Sequence, residues 1–109
     1  MRPEDLLLAA ELSPEEVTEF LSCYGFVDPL TADRNLQLIG EKIPTRMALA
    51  RMVGKLLEIA QKTPDPDGVL NHFERLLGVV RHPVNFLGFL SDTAEALEAV
   101  LLICGYSNY

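Results

Sequence analysis

Asp65 and Asp67 stand two residues apart in the run Thr63-Pro64-Asp65-Pro66-Asp67-Gly68. Two carboxylates at that spacing are one part of a calcium loop. The glycine and the distal glutamate that such a loop requires are not at the right positions, so the pair reads as a stiff connector whose aspartates cap a helix. Glu15-Glu16 falls in a helix first turn, where negative charge suits the dipole, and Glu95 with Glu98 reads as a solvated face. His72 and His82 lack a Cys or carboxylate at ligand spacing. Glu74, two residues after His72, points to another helix face, so no metal site follows. Cys23 and Cys104 sit in apolar helical patterns without an adjacent base, which describes an inert core thiol rather than a nucleophile. The glycines are isolated, and none forms a phosphate-cradling turn between a strand and a helix. Arg46, Arg51 and Lys55 lie on one side of a long helix, with Glu58 after them, and read as a solvated face rather than an anion site.

Asn71, Glu74 and Arg75 are the exception. Spacings of three and four put them on one face of one helix. Together they offer complementary donors and acceptors that could tie the helix to a neighbour or to a partner. They are the candidate domain or partner contact. No catalytic, cofactor-binding or metal-binding residue is assigned.

The elements that must position these residues are punctuated by proline and glycine. Pro3 opens a short helix over residues 3–12. Ser13-Pro14-Glu15-Glu16 is a start signal: Ser13 caps, Pro14 takes the first helical position and Glu16 reaches back. Val17, Phe20, Leu21 and Tyr24 follow at helical spacing, and Gly25 ends that helix. Asp28-Pro29 opens the next, with Ala32, Leu36 and Ile39 on one face and Gly40 after it. Pro44 opens the longest helix, over residues 44–62, with the stripe Leu49, Met52, Val53, Leu56, Ile59 and Ala60. Gly54 interrupts it at a propensity cost of ~1 kcal/mol unless a neighbour packs close there.

Asp65 or Thr63 caps the helix that runs on to residue 81, with Val69, Leu70, Phe73, Leu76, Leu77 and Val80 buried. His82-Pro83 ends it. A short helical turn over residues 85–90 carries Phe86 and Phe89. Ser91 caps a last helix whose inner face is Ala94, Leu97, Val100, Leu101 and Cys104, and Gly105 closes it. Strand alternation is absent. The fold class is therefore all-α: an irregular bundle of roughly six or seven short helices in a single module spanning the chain. Ser107 has the character of another cap just before the sequence stops, so the chain reads as a piece of a longer protein.

The 109 residues amount to one domain at most, and 49% are hydrophobic, enough for a core. A net charge of -7 with unclustered basic residues argues against nucleic acid. No apolar stretch approaches the roughly 20 residues of a membrane span, and the N-terminus is too short in apolar residues for a signal peptide. The cysteines leave a disulfide open, but their settings favour two buried free thiols and a reducing cytoplasm.

Three segments carry a resemblance to a known family. Gly25-Phe26-Val27-Asp28-Pro29 resembles the Gly-Phe-x-Asp-Pro turn near the start of glutamine synthetase adenylyltransferases. Asp65-Pro66-Asp67, followed by Leu70-Asn71 and Phe73-Glu74-Arg75, resembles their Pro-Asp-Pro-Asp…Leu-Asn-x-Phe-Glu-Arg segment. Gly105-Tyr106-Ser107-Asn108-Tyr109 resembles the Gly-x-Ser-x-Phe turn that follows. Order and spacing agree over residues 21–109.

The resemblance implies a parent that moves an adenylyl group from ATP to a tyrosine of glutamine synthetase, in the control of nitrogen metabolism. The catalytic signature of that family, Gly-Ser…Asp-x-Asp on a strand with magnesium, is not matched here, and Asp65-Pro66-Asp67 lies in a loop. The resemblance thus implies the helical N-terminal region before the first nucleotidyltransferase domain. That region would be inactive alone and bind no cofactor of its own, with ATP and magnesium belonging to the parent's catalytic domains. Its partners would be the catalytic domain of the same parent, and glutamine synthetase or a nitrogen signal protein. The alternative is a free-standing helical adaptor that binds a partner helix in a groove.

Overall fold

The computed structural model describes residues 1–106. Ser107, Asn108 and Tyr109, read above as the start of a further element, lie outside the described residues. Among the described residues the chain forms seven helices: α1 (Asp5–Leu8), α2 (Pro14–Ser22), α3 (Pro29–Ile39), α4 (Ile43–Gln61), α5 (Pro66–Val79), α6 (Pro83–Asp92) and α7 (Ala94–Tyr106). No strand occurs among them.

The start signals act as side-chain chemistry dictates. Ser13 Oγ accepts the Glu16 amide at 3.1 Å, with Pro14 at the first position of α2. The Glu16 carboxylate takes the Ser13 hydroxyl at 3.2 Å. Asp28 accepts the Thr31 amide and hydroxyl at the head of α3. Asp65 accepts the Gly68 amide at 3.0 Å at the head of α5. Gly25 closes the turn after α2 at φ +87°, a backbone region that L side chains avoid.

The central helix is α4, which touches α1, α3, α5, α6 and α7. Its entire predicted stripe is buried, from Leu49 to Ala60. Gly54 has the close neighbour its position calls for: a Cβ there would lie 3.4 Å from the Pro3 ring. Phe73 of α5 is the largest fully buried side chain, beside Leu21, Leu36, Leu56 and Leu101 in one continuous core. α3 and α5 both begin at aspartate caps held in one joint, and Asn35 meets Asn71 farther along, so the two helices run side by side in the same direction.

Several expected details are corrected. α1 stops at Leu8 rather than at residue 12, because Ala9 turns extended and side chains from α3 and α4 take the Leu6 and Leu7 carbonyls. α6 is longer than the expected turn over 85–90. It runs through Ser91, which therefore caps nothing; Thr93 holds the extended backbone before α7, and its carbonyl accepts the Leu97 amide at 3.1 Å. Phe89 points outward and is 56% exposed, while Leu87 and Leu90 face the core. Ala94 is exposed rather than on the inner face of α7. Leu76, Val80 and Val100 are half-buried.

Gly105 does not end α7 but lies inside it. A Cβ there would approach Thr63 Cβ and Val69 Cγ2 at 3.1 Å, so its smallness lets α7 close on the start of α5. Cys23 is exposed, being roughly 200° around the helical wheel from the buried Leu21. Cys104 is buried, and both thiols are free.

Candidate functional site

Two of the three segments quoted for the family resemblance meet in space. Asp67, in the first turn of α5, turns its carboxylate on the loop before α3. One oxygen accepts the Val27 amide and the other the Asp28 amide, each at 2.8 Å. A bidentate carboxylate satisfies two consecutive amides that the turn leaves unpaired, and charge makes such bonds stronger than neutral ones. Asp65 and Asp67 are thus both used by the fold: the first caps its own helix, and the second clamps a loop 40 residues away in sequence. Phe26, just before the clamped amides, is buried.

Of the candidate triplet, the structure commits one member. Asn71 Oδ1 accepts from Asn35 Nδ2 at 2.6 Å, tying α5 to α3 within the module. Glu74 and Arg75 make no hydrogen bond or ion pair among the described residues, where the two ion pairs are Arg2–Glu4 and Lys55–Glu58. Arg75 is exposed. Glu74 is half-buried and lines a shallow cavity of about 170 Å³ between the end of α3, the start of α4 and the end of α5. Leu38, Leu77, Gly78 and Pro83 form its apolar part, with Glu41 and Lys42 among its charged lining.

The remaining reactive side chains are held apart. His72 Nδ1 donates to the Cys104 carbonyl at 2.8 Å, joining α5 to α7. Burial pushes the Cys104 thiol up, away from the thiolate a nucleophile needs. Cys23 Sγ donates to the Glu19 carbonyl one turn back, at 3.3 Å. Among the described residues no three His, Cys, Asp or Glu side chains gather as metal ligands. No helix there is long and apolar enough to cross a membrane.

Arg46 departs from the solvated face expected for it. Its guanidinium donates to the Leu7 and Gly40 carbonyls and to Gln37 Oε1. Gln37 in turn donates to the Leu6 carbonyl and to Asp33. These two side chains satisfy the carbonyls that α1 and α3 leave open at their ends. Arg51 and Lys55 remain exposed. The available sequence signal was the angle: Arg46 lies roughly 140° around α4 from Arg51, so the three bases do not share a face.

No protein-family model, curated protein or solved structure matches this chain.

Proposed function

We propose that this chain is a non-catalytic helical docking module of the kind that precedes the first nucleotidyltransferase domain in glutamine synthetase adenylyltransferases. It would act in the cytoplasm, in the control of nitrogen metabolism. The observation that carries the reading is the Asp67 clamp. Two of the segments that carry the resemblance meet there, Asp67 accepting from the Val27 and Asp28 amides. They are spent on architecture, as befits a region that supports chemistry done elsewhere. ATP and magnesium belong to the parent's catalytic domains, and the chain binds neither. Its partner is that catalytic domain, with glutamine synthetase or a nitrogen signal protein as further contacts. Glu74 and Arg75, unengaged beside the engaged Asn71, are the side chains offered to it.

The test is calorimetric titration of the chain into the catalytic domain of a glutamine synthetase adenylyltransferase from the same organism, lacking its own N-terminal helices. Saturable binding is expected, weakened at least about tenfold, or ~1.4 kcal/mol, by Glu74→Ala with Arg75→Ala. A folded chain that shows no binding contradicts the family reading. A free-standing adaptor is the second reading, favoured by the outward Phe89 and Ile103. Binding to an unrelated helical partner, with none to the catalytic domain, would select it.

A further inference from the structure

We propose that the outer face of α7 docks a partner helix that carries lysine or arginine at one end of its apolar stripe. α7 is apolar on two sides. Leu97, Leu101 and Cys104 are buried on the inner side. The outer side presents Glu95, Glu98, Ala99, Leu102 and Ile103, all exposed. At 3.6 residues per turn these five fall within an arc of about 140°, so they form one continuous stripe. The stripe is graded, with carboxylates in the first two turns and aliphatic side chains in the last two. Ile103 is 72% exposed and Leu102 36%. The last turns of α7 are apolar on both sides, and such a segment is normally covered all round; among the described residues it is covered on one side.

Charge selects the occupant. α7 contains no basic residue, and neither Glu95 nor Glu98 has an ion-pair partner among the described residues. A second copy fits poorly in either direction. Parallel pairing sets Glu95 and Glu98 against their own equivalents. Antiparallel pairing sets those carboxylates against Leu102 and Ile103 and strips them of water without compensation. A helix whose apolar residues cover Leu102 and Ile103, and whose Lys or Arg lie beside Glu95 and Glu98, meets both halves of the stripe. This surface is separate from Glu74 and Arg75 and does not rest on the family resemblance.

The probe is a labelled helical peptide of about 20 residues with leucines along one half of a face and lysines along the other half. A twin has glutamate in place of lysine. Fluorescence anisotropy against the full chain should show saturable binding of the lysine peptide, weakened by salt, and none of the twin. Leu102→Ser with Ile103→Ser should weaken binding at least about tenfold in a chain that still unfolds cooperatively, since neither side chain belongs to the buried core. Glu95→Lys with Glu98→Lys should reverse the preference toward the glutamate twin, a change that a merely structural role would not produce. Absence of saturable binding, or binding indifferent to both double variants, overturns the proposal. So does sedimentation velocity showing a dimer that the serine variant abolishes, because the occupant would then be a second copy.

Discussion

At the scale of single residues, Asp67 does more than its sequence neighbourhood suggests. Asp67→Ala leaves the Val27 and Asp28 amides without their acceptor and should cost about 1–3 kcal/mol in urea denaturation. Asp67→Asn, which offers one carbonyl oxygen in place of two carboxylate oxygens, should fall between the wild type and the alanine variant. Equal stability of all three would show the clamp to be ornamental. The two thiols should also separate cleanly. Cys23 is exposed and should alkylate in the native state, whereas Cys104 should react only after unfolding. Burial raises the Cys104 pKa in the folded chain, so the folded state holds that proton more tightly than the unfolded state. The thiol therefore costs nothing below its unfolded pKa. As pH climbs above that value into the alkaline range, stability falls. Cys104→Ala should flatten that decline, and an unchanged alkaline slope would remove Cys104 as its cause.

Helices were the most legible scale. Ser13-Pro14, Asp28-Pro29 and Asp65-Pro66 each predicted a start, and each has its cap bond, because a short polar side chain before proline has few other uses. Ser91 misled because Thr93 follows two residues later and the choice between them depends on where α6 and α7 meet. Gly105 misled for the opposite reason, since a glycine near a helix end signals either a stop or a close approach. The contact with Thr63 and Val69 decides it, and it joins residues far apart in sequence. Two substitutions separate these roles of glycine. Gly105→Ala forces a methyl against Thr63 and Val69 and should cost about 1–3 kcal/mol. Gly78→Ala meets nothing within 4 Å and should stabilise α5 by up to ~1 kcal/mol. The same sign for both would refute the packing described for α7. Phe73→Ala, in the middle of the buried face of α5, should cost about 3–5 kcal/mol, and an unmoved melting temperature would show that face to be free of the core.

For the whole molecule, the all-helical class and the buried stripe of α4 could be read from periodicity, since a stripe of period 3.6 over 19 residues leaves little choice, whereas the central place of α4 emerges only from its contacts. The candidate contact was legible only in part. Its three residues do lie on α5, but the engagement of Asn71 by Asn35 depends on α3 and α5 running in parallel, which no local pattern encodes. The helical angle sets Arg46 apart from Arg51, but its particular acceptors, two backbone carbonyls and Gln37 Oε1, have no signature in a sequence. Glu74→Ala with Arg75→Ala should leave the isolated chain within about 1 kcal/mol of the wild type, because neither the half-buried Glu74 nor the exposed Arg75 has an ion-pair partner among the described residues. A larger loss would place them in the module's own architecture. In the proposed function this chain contributes binding rather than chemistry to an adenylyl transfer carried out by another domain. The most direct measurement follows transfer of labelled AMP from ATP to glutamine synthetase, with magnesium, by the adenylyltransferase catalytic domain with and without this chain. The expected result is no transfer by the chain alone and a saturable change in the domain's rate when wild-type chain is added, diminished with the Glu74→Ala, Arg75→Ala variant. Transfer by the purified chain alone, or a rate indifferent to its addition, would contradict that role.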